Sequence, residues 1–355
     1  MNSRERVLKT YNFELPDKIP LDFCADDPVY DALIEKVGVK DQLSLMEYFN
    51  IDFRWARPAW IGPELVTSDG QRTDYFGIPR EGVDFGYAKE RPLANMKTPK
   101  EVEEYISNKE NMWPRAEYWD YDVFTAEAKT FRNEGYAVYG GQWAWFFTAA
   151  CDLVGMDKFF IMMLEKPDVA YKIMEMLSDT FMESSEIMFQ KAKGDIDIYF
   201  TGDDYGQQTG PLISAELWRK LVKPHAKKLF SHAKKYDLYI DQHSCGSITY
   251  ILDDLIAIGL NSLEPVQVRA HDMEFKSLVD RYSRKVVLHG SIDTQKTLTF
   301  GSKEDVRDEV ISRISLFKDK GGFILAPSQH FLVDIPLENI LIMYETAEKF
   351  RNIED

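Results

Sequence analysis

Leu238-Tyr239-Ile240-Asp241-Gln242-His243-Ser244-Cys245-Gly246 is the stretch on which the fold turns. Its apolar and aromatic opening favours an extended segment, and Gly246 breaks that segment just before a new helical pattern begins. Side chains alternate along an extended chain, so positions 241, 243 and 245 face the same way and present a carboxylate, an imidazole and a thiol together. A strand that ends in polar groups and leads at once into a helix is one βα unit.

Working outward, short β-branched or aromatic runs alternate with long amphipathic stretches. The candidate strands are Tyr136–Gly140, Ile196–Thr201, Leu238–His243, Leu260–Glu264, Lys285–His289 and Phe323–Ala326, and adding Ile19–Phe23 and Ile51–Trp55 gives eight. Between them the helices are well marked. Pro167 sits at a first turn, Ala170, Ile173, Met174, Leu177, Phe181 and Met188 keep one apolar face, and Gly194 provides the stop. Pro336 opens a last helix with Leu337, Ile340, Leu341, Tyr344 and Ala347 on one side. This pattern predicts an α/β fold, a (β/α)8 TIM-type barrel, with functional groups where strands end. Residues 64–135 break the alternation. Within them VTSDGQRTDYFGIPREGVDFGY carries the turn pair Asp69-Gly70, and Glu101, Glu103 and Glu104 read as a solvated helix face, so a β-hairpin and helical insertion is expected in the N-terminal third. No repeat or linker divides the chain, and residues 1–355 are expected to form a single barrel domain.

Composition narrows the function. Among 355 residues there are 43 Lys+Arg against 59 Asp+Glu, a formal charge of −16, which disfavours nucleic acid as a partner. Three cysteines, Cys24, Cys151 and Cys245, are too few and too scattered for a disulfide framework and suit a reducing compartment. The charged start, with Arg4, Glu5 and Arg6, has no apolar targeting core, and no apolar run is long enough for a membrane span, so a cytoplasmic protein is expected.

His243 and Cys245 suit zinc, which takes nitrogen and sulfur ligands and keeps one position open in catalytic sites. A histidine satisfied by a hydrogen bond beside an inert cysteine is the plain alternative, and position at a strand end weighs against it. Other candidate strands finish in the same polar manner: Gly202-Asp203-Asp204-Tyr205, Glu264 with Gln267 close by, His289-Gly290-Ser291-Ile292-Asp293, and Ser328-Gln329-His330. Among them Tyr205 and Gln267 are candidate substrate contacts. Tyr139-Gly140-Gly141-Gln142-Trp143-Ala144-Trp145-Phe146-Phe147 is the richest aromatic cluster. Trp143, Trp145 and Phe146 either wall an apolar pocket or pack the following helix. Neither a G-x-G-x-x-G turn nor a G-x-S-x-G elbow occurs, which argues against familiar dinucleotide sites and hydrolase triads.

Taken together, several motifs resemble the uroporphyrinogen decarboxylase superfamily. They are the run from Thr201 to Pro211 with Lys223-Pro224, His243-Ser244-Cys245-Gly246, Leu263-Glu264-Pro265, residues 289–293, Pro336-Leu337-Glu338-Asn339, and the opening Arg4-Glu5-Arg6-Val7-Leu8 and Asp17-Lys18-Ile19-Pro20. The superfamily's decarboxylases grip polycarboxylates with arginines after the first strand, whereas here that segment reads Leu21-Asp22-Phe23-Cys24-Ala25-Asp26-Asp27. The chain is more similar to the cobamide-dependent methyltransferases. That resemblance implies His243 and Cys245 as zinc ligands, with His330 standing where the family's third ligand, a cysteine, is missing. It also implies a methyl group passed between a small O-, N- or S-methyl compound and cobalamin carried by a partner corrinoid protein, with Asp203, Glu264 or His289 as the acid that serves the departing heteroatom. The chain is read as lacking a D-x-H-x-x-G corrinoid loop of its own. The family habit further implies a homodimer. A decarboxylase or other lyase acting on a small carboxylic acid, and a non-catalytic binding barrel, are the competing readings.

Overall fold

A computed structural model describes residues 1–82 and 86–353. Seven parallel strands lie side by side in chain order: β1 (Phe53–Trp55), β2 (Ala137–Gly140), β3 (Ile198–Gly202), β4 (Tyr239–His243), β5 (Ser262–Val266), β6 (Val287–Ile292) and β7 (Phe323–Pro327). The eighth position is held by the segment around Leu21, which bridges Leu325 of β7 in parallel. On that side the Leu325 amide donates to the Pro20 carbonyl at 3.0 Å, and on the other the Asp52 amide donates to the Leu21 carbonyl at 3.0 Å. The barrel is thereby closed, a (β/α)8 TIM-type barrel. Pro20 has no amide hydrogen to give, which keeps this eighth element a short bridge where a five-residue strand is expected from the sequence.

Two apolar layers result from strand alternation. Val7, Tyr11, Phe53, Ala137, Tyr139, Ile198, Phe200, Val287 and Ile324 fill the inside of the barrel. The opposite strand faces pack against the helices, as with Ile240, Leu263 and Leu288 against Leu252, Leu255 and Leu278. The N-terminal helix Ser3–Tyr11 sends Tyr11 into the interior, where its ring sits 4.8 Å from that of Tyr239. Beside it, buried Asp52 accepts from Arg6 Nη1 at 2.6 Å, Arg351 Nη1 at 3.1 Å and the Leu21 amide at 2.9 Å. One carboxylate therefore ties the first helix, the closing segment and the C-terminus together.

Helix Pro167–Lys191 buries the expected face, and Gly194 beyond it has φ +88°. In the insertion, Gly70 takes φ +86° and Val66 bridges Arg72 antiparallel, so Asp69-Gly70 does turn the chain. Residues 83–85 of that stretch lie outside the described residues. Ala59–Trp60 pairs antiparallel with Trp119–Asp120 to close the insertion at its base. Glu101, Glu103 and Glu104 fall on helix Pro99–Ser107, started by Thr98. Among the described residues no helix is long and apolar enough to cross a membrane.

Candidate metal centre at the barrel mouth

Strand β4 delivers its alternating polar groups into the barrel at two depths. Asp241 is fully buried, whereas His243 lies at the upper end, with 15% of its side chain exposed. The backbone after His243 is fixed by neighbours. Ser244 donates its amide to the Glu264 carbonyl at 2.7 Å, and the Cys245 amide donates to Asp204 Oδ1 at 2.8 Å. The Gly246 amide donates to Gln267 Oε1 at 2.8 Å. Gly246 has φ +78°, and a Cβ there would meet the Gly206 carbonyl carbon at 2.6 Å. The loops after β3 and β4 can lie this close only because both positions are glycine.

That contact places Asp204, from the loop after β3, beside His243 and Cys245. The His243 Nε2 atom is 3.4 Å from Cys245 Sγ and 3.5 Å from Asp204 Oδ1. Ligand atoms from all three residues lie within 4.8 Å of one another. For bonds of about 2.0–2.3 Å to a tetrahedral zinc ion, ligand atoms stand roughly 3.3–3.7 Å apart, so both nitrogen distances fit one ion. On the far side of the ring, His243 Nδ1 is 2.6 Å from Glu264 Oε2. This is the carboxylate–histidine arrangement that aims Nε2 at a metal. Gln329 Oε1 approaches Cys245 Sγ at 3.5 Å.

Electrostatics agree with a cation site. Burial opposes charge on His243, yet Glu264, Cys245 and Asp204 hold its pKa well above the usual imidazole range. Surroundings that favour a proton on Nε2 also favour a metal cation there. Burial is the largest influence on Asp204 and raises its pKa, but the hydrogen bond and charge of His243 and the hydrogen bonds from Cys245 together outweigh it and keep the carboxyl below its usual value. Burial raises the Cys245 thiol, with His243 opposing. The mouth is walled by Trp143, whose ring centroid is 5.6 Å from that of His243, and by Phe200 at 6.2 Å. Trp143 is held by its indole N–H, which donates to the Gly202 carbonyl at 3.1 Å.

The family model for uroporphyrinogen decarboxylase (URO-D) matches residues 131–350. The chain belongs to the URO-D family. Over 140 residues this URO-D chain is 26% identical to methylcobamide:CoM methyltransferase MtbA of Methanosarcina acetivorans, a match covering 39% of each protein. Its fold is that of the solved methyltransferase from Methanosarcina mazei, with a TM-score of 0.67 at 19% identity over 99% of both chains.

Within this URO-D barrel the residues singled out from sequence divide into two groups. His243, Cys245, Glu264 and Trp143 come together at the mouth, with Glu264 behind the imidazole, set to orient it. The others have different surroundings. His330 Nε2 is 3.0 Å from Asp26 Oδ1, and the carboxylate of Asp204 occupies the third place of the cluster instead. Asp203 is buried and accepts from the Phe147 and Thr148 amides at 2.8 and 2.7 Å. It starts helix Phe146–Val154, and burial lifts its pKa to about 8 against those two donors. His289 is 1% exposed and clamped between Asp241 Oδ2 at 3.0 Å and Asp22 Oδ2 at 3.2 Å. Burial opposes its charge, but the two carboxylates hold its pKa up to about 10. Tyr11 and Tyr139 also donate to Asp241, each at 3.1 Å, so His289 belongs to a polar plug inside the barrel, not to an acid at the mouth.

The remaining aromatic and amide candidates each have partners of their own. Phe146 is buried against His225, Trp145 packs on Phe76 and Phe181, and Tyr205 is buried between Phe147 and Trp218. Gln267 bridges loops by accepting from Gly246 and from Gln208 Nε2 at 3.1 Å. Residues 241–246 do spell D-x-H-x-x-G, contrary to the reading that no such pattern exists. Here the letters serve a barrel strand: His243 is paired with Glu264, while Asp241 faces His289. Asp204 and Gln329 join the candidate cluster without being singled out by the sequence. Each lies beside a position that was chosen, and only the turn geometry tells the neighbours apart.

Proposed function

We propose that this chain is a zinc-dependent methyltransferase that moves a methyl group between a small methyl compound and cobalamin carried by a partner corrinoid protein. The observation that carries the reading is the cluster of Asp204, His243 and Cys245 at the barrel mouth, with Glu264 behind the histidine. The family membership and the two methyltransferase relatives support it. A zinc ion held by these three residues would act as a Lewis acid toward the heteroatom that bears or receives the methyl group.

The protein's own part is positional. Glu264 fixes the ring plane and tautomer of His243, so Nε2 is the nitrogen presented to the ion. Asp204 holds the Cys245 backbone amide as well as offering its oxygen, so one carboxylate sets both the loop and the ligand. Trp143 and Phe200 provide an apolar wall that excludes water from one side of the reacting heteroatom.

The test mixes zinc-loaded protein with cob(I)alamin and a panel of aryl methyl ethers, N-methyl amines and methyl thioethers, and follows methylcobalamin by absorbance. Transfer from at least one class is expected, falling at least about 100-fold in Cys245→Ser. Absence of transfer from every class by folded, metal-loaded wild type would overturn the reading.

A further inference from the structure

The loop after β1 brings an arginine to the same mouth. Arg57 is exposed, and its guanidinium forms no ion pair among the described residues; only its backbone amide is engaged, donating to Glu127 Oε2 at 3.1 Å. Carboxylates are plentiful in a chain with 59 Asp+Glu against 43 Lys+Arg, so the lack of an ion pair among the described residues is not explained by scarcity. The guanidinium carbon lies over the Trp55 ring, 5.1 Å from its centroid. Trp55 is the last residue of β1, and its ring meets Phe200 edge-on at 4.7 Å. Phe200 in turn neighbours Trp143 at 5.7 Å and His243 at 6.2 Å. A chain of ring contacts therefore runs from the guanidinium to the imidazole of His243.

The charge of Arg57 reaches inward as well. At the exposed Cys24 thiol it opposes the effect of Glu264 and Asp22. The carboxylates near the mouth are otherwise occupied: Glu264 on His243, Asp204 on the Cys245 amide and Asp26 on His330. We propose that Arg57 is the specificity group of this site, binding the carboxylate of a substrate whose flat ring lies along Trp55 and Phe200, which makes the small molecule an aromatic acid. A guanidinium offers a carboxylate two parallel N–H donors, and the cation–π contact with Trp55 helps hold it in place. A quaternary ammonium substrate would meet like charge there. The proposal rests on the methyl-transfer reading only for what happens at the other end of the ring.

Binding is measured apart from chemistry, by quenching of tryptophan fluorescence in zinc-loaded protein titrated with 3-methoxybenzoate and with its neutral amide. Wild type is expected to bind the acid at least about tenfold more tightly than the amide. Arg57→Gln should abolish that preference with metal content unchanged, and Arg57→Lys should restore part of it. In the methyl-transfer assay the Arg57→Gln effect should fall on KM and leave kcat in place. Equal affinity of wild type for acid and amide, or an acid affinity untouched in Arg57→Gln, would overturn the proposal. Arg57-dependent binding without any methyl transfer would instead count against the methyltransferase reading while leaving the anion site standing.

Discussion

Adjacent side chains at the end of β3 take opposite tasks. Asp203 turns inward and is consumed by two helix amides, while Asp204 turns to the mouth and meets His243 and Cys245. Sequence alone offers two equivalent aspartates, because the choice depends on where the loop crosses Gly246. The same holds at the end of β7, where Gln329 faces Cys245 and His330 goes to Asp26. His243 and Cys245 are legible as a pair, since the extended pattern sets them two residues apart, although β4 ends at His243 and the hydrogen bonds to Glu264 and Asp204 carry Cys245 beside it. The resulting prediction separates the two candidate third ligands. Asp204→Ala should weaken zinc binding at least about tenfold in a chelator competition, whereas His330→Ala should leave it within about twofold. The reverse order would return His330 to the cluster.

Strands and helices were read well where local chemistry speaks plainly. The β4 pattern, the Pro167 start and the Asp69-Gly70 turn all reflect short-range preferences. Helix Phe146–Val154 is different, because its aromatic start looks like a pocket wall in sequence but lies in the core. Its first turn has no cap from its own N-cap residue, Trp145, and takes one from Asp203, remote in sequence. Asp203→Ala leaves the Phe147 and Thr148 amides without that acceptor and should lower stability by about 1–2 kcal/mol. Urea unfolding followed by circular dichroism checks this, and metal affinity measured on the still-folded variant should stay near that of wild type. An unchanged unfolding midpoint would show that the cap does not contribute.

For the molecule as a whole, the barrel, its insertion and its closing C-terminal helix follow from counting βα units. The polar plug of Asp22, Asp241 and His289 does not, because it joins residues from three distant segments inside one interior. The packing of helices on the outside carries a pH dependence of its own. His225 is buried beside Tyr171, with ring centroids 4.4 Å apart, and burial lowers its pKa to about 4. The unfolded chain, with an ordinary value near 6.5, then binds the proton more readily than the folded one. Its stabilising contribution is complete above about pH 6.5 and is lost as pH falls toward 4, on the order of 1.4 kcal/mol per pH unit at most. Unfolding free energies of wild type and His225→Gln should converge or cross over that window. A constant difference from pH 7 to 4.5 would show that His225 is not the titrating group.

The account stands on one cation held by Asp204, His243 and Cys245. Titrating metal-free protein with cobalt(II) tests this most directly, because a thiolate ligand adds a sulfur-to-cobalt absorption and a tetrahedral site gives intense visible bands. Wild type is expected to saturate at about one equivalent with both features, and Cys245→Ser to lose the sulfur band while remaining folded. A folded wild type that takes up no cobalt, or a Cys245→Ser spectrum identical to wild type, would contradict it.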